Sequence, residues 1–279
     1  MSSRDAALAN SPASPMIIEH GTNLPATEAD YGPYLGAGYE NTERGDFAVP
    51  FYSIVQGTSS QILAKVPDAR PGMIINSSSN EMWPAGPRGG IEFIPAYTDH
   101  RYVQRKAQVL GGQFVDSFAT NDPLVRKIKE GSKEFGKYYF NYAEPTTSDR
   151  LLETYYLYGV HIYPGATIAD AMMKPALLTF KSKSIPIYKT WLQMTAGNLV
   201  RDPRSHRKVP APLFARSYFF RTFEDIGQGQ KFWNWTVEKG RQIMPTETAF
   251  NEAITVYNAA RIGTAKADEA KDFDDEIPF

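Results

Sequence analysis

Cysteine is absent from the chain. That rules out disulfides, thiolate metal sites and cysteine nucleophiles, and it fits a reducing compartment. Histidine is nearly absent too: His20, His100, His161 and His206 show no paired metal-ligand spacing. No Gly-x-Ser-x-Gly nucleophile elbow occurs. No apolar run approaches the roughly 20 residues that cross a bilayer. Residues Met1 to Pro15 lack the basic start and apolar core of a signal peptide. These absences lead us to expect a cytoplasmic protein with no cofactor, no metal, no membrane partner and no enzymatic activity.

What the chain does have is charge, segregated by position. The net charge is −1, yet residues 1–100 carry a balance of −6, residues 101–221 carry +10 and residues 222–279 carry −5. A basic middle between acidic ends is the arrangement expected of a polyanion-binding surface with an acidic competitor attached. Aromatic residues are also plentiful, with 16 Tyr, 16 Phe and 4 Trp. Nonspecific single-strand binders join a basic groove to aromatic faces on which bases stack. Most aromatics of a β-rich protein nevertheless serve its core and its cross-strand pairs.

The patterning predicts a mainly β protein with inserted helices, an α+β class. Residues 1–45 read as a largely irregular arm rich in Ser, Ala, Pro and Gly, residues 46–262 as one domain, and residues 263–279 as a flexible acidic tail. Strands are predicted around Phe47–Val55, Met73–Asn76, Glu81–Trp83, Ile91–Tyr97, Phe114–Phe118, Thr154–Tyr163, Ala176–Lys181 and Leu213–Phe223. In the run from Tyr97 to Lys106, Tyr97, Asp99 and Arg101 share one face of an extended chain, and His100, Tyr102 and Gln104 share the other. Asp122 and Pro123 start a helix that Gly131 stops. Ser184 is a candidate N-cap for a helix through Trp191, Gly227-Gln228-Gly229 a hairpin turn, and Pro245-Thr246 the start of a last helix carrying Phe250, Ala253, Ile254 and Tyr257. Residues 131–138 nearly spell a phosphate-binding loop. Tyr138 stands where a magnesium-binding hydroxyl belongs, and we read the match as chance.

Candidate phosphate contacts are Arg101, Arg105, Lys106, Lys181, Lys183, Arg207, Lys208 and Arg216, with Tyr102 among them. Arg201 to Lys208 is the densest basic cluster and reads as a loop. Lys181 to Lys183, beside a helix start, suits a phosphate as well as an ordinary basic turn. Trp83, Tyr97, Tyr158 and Trp191 are the candidate stackers, each also a candidate for the core.

The last residues, Asp274-Asp275-Glu276-Ile277-Pro278-Phe279, set a dense acidic run before one rigid proline and one aromatic ring. Such a segment is too poor in apolar residues to bury itself and suits capture by an apolar pocket with a basic rim. It resembles the C-terminal tip of bacterial single-stranded-DNA-binding proteins, in which the terminal Phe and Pro anchor replication, recombination and repair enzymes. In outline the remainder is similar to the divergent single-stranded-DNA-binding proteins of tailed bacteriophages. The resemblance implies an OB-like β-barrel core with elaborations, single-stranded DNA as ligand, and recruitment of partner proteins by Asp274 to Phe279. The expected tether from the last helix to this ending is short, about nine residues from Gly263 to Lys271, with an r.m.s. span of roughly 15–18 Å by random-coil scaling. A homo-oligomer is compatible with the resemblance. Two other classes stay open: a metal-dependent nuclease assembled from carboxylates such as Asp99, Asp116 and Glu153, and an adaptor that displays the tip without binding DNA.

Overall fold

Tertiary structure is organised on one long antiparallel ribbon. The computed structural model describes residues 49–106, 114–131, 139–141, 150–164, 172–227 and 229–265. All of these lie within the unit formed by residues 43–279. In chain order the described elements are β1 (Phe51–Ile54), α1 (Ser60–Lys65), β2 (Ile74–Asn76), β3 (Met82–Trp83), β4 (Ile91–Arg105), β5 (Phe114–Ala119), α2 (Pro123–Gly131), β6 (Tyr139–Asn141), β7 (Arg150–Ile162), β8 (Met173–Lys181), α3 (Ile185–Ala196), β9 (Leu199–Arg201), β10 (Lys208–Pro210), β11 (Arg216–Gly227), β12 (Gln230–Gln242) and α4 (Thr248–Arg261). The class is thus mostly β with helices added, as the patterning predicts.

Strands β4 and β7 pair along their whole lengths, from Glu92 opposite Ile162 to Arg105 opposite Arg150. On the outer side of β4, β11 pairs at residues 91–93 and β5 at residues 101–105. On the outer side of β7, β6 pairs at residues 150–152 and β8 from Thr154 onward. The sheet then runs on through β1, parallel to β8, to β2 and β3. The run Tyr97 to Lys106, set apart in the sequence, continues β4. A bulge between Pro95 and Tyr97 swaps the faces there, so Ile94 and Ala96 lie on the same side as Tyr97 and Val103.

Each face carries one helix. On the first, Ala249, Ala253 and Val256 of α4 pack against Ile94, Tyr156, Tyr158 and Val160. The predicted stripe is turned slightly: Ala249 and Val256 are buried, while Ile254 is half-exposed. On the second face, Tyr188 and Trp191 of α3 enter a cluster with Tyr52, Phe93, Leu157, Phe180, Tyr218, Phe220 and Trp235. Fully burying one such ring is worth about 1.5–3 kcal/mol. Ser184 does not cap α3. Its hydroxyl turns back to donate to the Lys181 carbonyl and accept from the Lys181 amide, both at 2.8 Å, closing a 3-10 turn over Ser182–Ser184.

The sheet curls into a half-barrel whose two ends meet without a strand ladder. Just past β1, the Gln56 carboxamide donates to the Trp233 carbonyl and accepts from the Trp233 amide, both at 2.8 Å. One side chain thereby imitates a strand partner on β12. Beside it Thr222 Oγ1 donates to the Gly72 carbonyl at 2.6 Å. Gly72 has φ +90°, and a Cβ there would stand 2.6 Å from the Trp233 ring, so only glycine allows the contact.

Candidate nucleic-acid interface

The candidate cations and rings are distributed very unevenly over this frame. Tyr158 is buried in the α4-side core, and Trp191 is fully buried under α3. Neither ring has a face to offer a base, a correction that follows from their full use in packing. Tyr102 is likewise buried, against Val125, Ile128 and Leu151, and its hydroxyl oxygen accepts from Lys129 Nζ at 2.6 Å. Arg105 is buried on β4. Tyr97 is half-buried against Tyr158 and Tyr257. Trp83 stacks on Tyr52 at 4.8 Å. Arg101 is held by Asp99 at 3.7 Å and donates to the Ser117 hydroxyl and carbonyl of β5 at 2.6 and 2.9 Å. Arg216 donates to the Gly240 carbonyl at 2.7 Å. Lys106 and Lys181 are half-buried, whereas Lys183, Arg207 and Lys208 are exposed. The residues Asp274 to Phe279 lie outside the described residues, as do the expected arm of residues 1–45 and nearly all of the tail.

The basic cluster Arg201 to Lys208 is not the loop its composition suggests. It forms the tip of a two-stranded ribbon, β9 paired with β10 through Lys208–Arg201, Val209–Val200 and Pro210–Leu199. Asp202 organises the tip. Its carboxylate accepts from the Ser205 hydroxyl and from the Arg204 and Ser205 amides, the latter two at 2.9 and 3.2 Å, and these bonds hold its pKa below the ordinary carboxylate range. The His206 amide donates to the Asp202 carbonyl at 2.9 Å, with His206 at φ +54°. Arg201, Arg204, His206, Arg207 and Lys208 are all exposed, as are Leu199 at 51% and Val200 at 41%. A ribbon with both strand faces exposed stands off the body, and its cations are presented together.

A second constellation went unread in the sequence because its members lie far apart along the chain. Cross-strand register places His100 of β4 opposite Tyr155 of β7. Their rings stack at 4.1 Å and 15°, and Tyr155 stacks in turn on Tyr188 of α3 at 4.5 Å and 27°. Tyr102 continues the row beyond His100 at 5.6 Å. Lys129 of α2 lies 4.4 Å from the Tyr102 ring and Lys189 of α3 lies 6.0 Å from the Tyr155 ring, both on exposed positions. Glu153 underlies the row: Tyr155 donates to its carboxylate at 2.9 Å and His100 Nε2 lies 3.0 Å away. Burial pushes the Glu153 carboxyl up, but the hydrogen bonds from His100 and Tyr155 outweigh it and leave it below the usual range. The Tyr155 hydroxyl is raised by burial and by that carboxylate.

A third polar group is interior. Tyr52 and His161 meet through the Tyr52 hydroxyl and Nδ1 at 3.0 Å, and the Tyr52 hydroxyl lies 3.2 Å from that of Tyr163. Tyr163 donates to Glu81 at 2.8 Å. Burial holds the His161 imidazole down to about 3 and raises the Tyr163 hydroxyl to about 12. The carboxylates considered for a nuclease do not gather: Asp99 faces Arg101, Asp116 accepts from the Ser117 amide at 2.7 Å, and Glu153 sits in the ring row. Among the described residues no group of three or more His, Cys, Asp or Glu is placed to hold a metal ion. None of the described helices is long and apolar enough to cross a membrane.

Among known protein families, the model described as Pam3 phage gp34-like protein matches residues 19–266. No curated protein matches, and no solved structure matches.

Proposed function

The chain belongs to the Pam3 phage gp34-like family, and from that premise we propose a sequence-nonspecific single-stranded-DNA-binding protein serving phage DNA replication, recombination or repair. The observation that carries the reading is the β9–β10 ribbon, where Arg201, Arg204, Arg207 and Lys208 are exposed together on a tip fixed by Asp202. Cations held on a rigid projection can neutralise successive phosphates whatever the base sequence, and counterion release supplies the affinity. Lys183, exposed beside the start of α3, extends the cationic surface. The OB-like reading of the half-barrel belongs to the same proposal. So does recruitment of partner proteins by Asp274 to Phe279, an anionic hook for the basic rim of another protein.

Fluorescence titration with oligo-dT at two salt concentrations tests the reading. Binding should weaken steeply with salt, and Arg204→Ala/Arg207→Ala/Lys208→Ala should lower the slope of log K against log salt by about 0.7 for each phosphate no longer neutralised. Absence of binding at low salt, or binding indifferent to salt, leaves an adaptor as the better reading. Cleavage of the oligonucleotide in magnesium or manganese would instead favour the nuclease.

A further inference from the structure

We infer that the row of rings Tyr102, His100, Tyr155 and Tyr188 is a nucleobase-stacking site, entered at His100 and Tyr155 and flanked by Lys129 and Lys189. The inference rests on the proposed single-strand binding and names where bases, rather than phosphates, are held.

Four observations combine here. The rings are contributed by β4, β7 and α3, so three separate elements hold one stack. The outer members remain accessible: the His100 side chain is 34% exposed and Tyr155 is half-buried, while Tyr102 and Tyr188 are buried and anchor the ends. Exposed cations stand at both ends, Lys129 over Tyr102 and Lys189 over Tyr155. Finally, Glu153 fixes both middle rings from below, through the Tyr155 hydroxyl and His100 Nε2, and so pre-orients them before any ligand arrives. A purely structural cluster would be expected to bury its imidazole. The row instead leaves its most polar ring at the surface, between two lysines.

Such a site takes a flat heteroaromatic ring joined to a phosphate. Every nucleobase has a π-face, so the site is sequence-tolerant, and the lysines favour the adjoining phosphates. Glu153, largely covered by the rings, acts as a positioning residue.

The test uses the full chain and two ligands, oligo-dT and an abasic deoxyribose-phosphate strand of equal length. His100→Ala and Tyr155→Leu should each weaken oligo-dT binding by about five- to a hundredfold, the range for losing one stacked base. Both should bind the abasic strand as the unaltered chain does. Photocrosslinking of an iodouracil-containing strand to the unaltered chain needs no variant and should mark His100 or Tyr155 in sequenced peptides. If the unaltered chain binds oligo-dT but the crosslinks fall elsewhere and both variants bind normally, the ring row is not the stacking site and the function proposed above still stands. Equal losses on the abasic strand would also overturn the inference, because they would reveal a general structural role. If the unaltered chain binds neither strand, the single-strand reading fails and this inference falls with it.

Discussion

At the scale of single residues, burial makes His161 and Gly159 sensitive in different ways. His161 is 1% exposed, and its folded pKa near 3 lies below the ordinary value of 6.5. The unfolded chain takes up a proton below about pH 6.5 that the folded chain refuses, so acid favours unfolding. The contribution is complete above about pH 6.5 and is lost as pH falls toward about 3. His161→Gln should therefore flatten the melting temperature against pH across that window, read by thermal scans at several pH values. An unchanged slope would contradict the assignment. Gly159 lies where β7 crosses Phe93 and Ile94, and a Cβ there would stand 2.2 Å from the Ile94 carbonyl oxygen and 2.5 Å from the Phe93 ring. Backbone cannot yield as a side chain does. Gly159→Ala should cost about 1–3 kcal/mol in urea unfolding, the range for overpacking.

Elements add what residues alone do not, chiefly in how the half-barrel ends are joined. Gln56 replaces a missing strand by meeting both main-chain groups of Trp233. Gln56→Leu keeps the bulk and removes both bonds, leaving the Trp233 amide and carbonyl short of their partner. A loss of about 1–3 kcal/mol is expected, with faster hydrogen exchange of the Trp233 amide. Exchange at Trp233 no faster than in the unaltered chain would show the closure rests on packing alone. The basic ribbon depends on Asp202 in the same local way. Asp202→Ala should leave global stability within about 0.5 kcal/mol, as for a surface site, while the Arg204 and Ser205 amides lose exchange protection.

For the whole molecule the relevant quantity is charge segregation. The span 101–221 carries +10 and contains both the ribbon and the ring row, and the span 222–279 carries −5. Deleting residues 272–279 removes four acids, Asp272, Asp274, Asp275 and Glu276, and the Ile-Pro-Phe ending. DNA affinity at low salt should be unchanged or tighter, because a local anion is gone, and capture of replication proteins in pull-downs should be lost. Capture that survives the deletion would place the hook elsewhere.

Much of the element layout was legible in local pattern. Alternation fixed the two faces of β7, Asp122 with Pro123 set the start of α2, and Gly227 to Gly229 set the β11–β12 turn, because in each case the deciding atoms are neighbours in sequence. The faces of Tyr97 to Lys106 were also readable, since side-chain alternation survives any register. The sequence by itself thus determined element type, the grouping of positive charge and the absence of cysteine chemistry. Tertiary structure alone decided which aromatics are accessible. Tyr158 and Trp191 are composed like stackers but lie in the core, whereas His100 and Tyr155 become a pair only because β4 and β7 lie in one register. It also decided that Arg201 to Lys208 is a braced ribbon and that the sheet closes through Gln56. The physical reason is common to all of these: stacking, burial and side-chain closure act between groups far apart in sequence, where no local pattern records them.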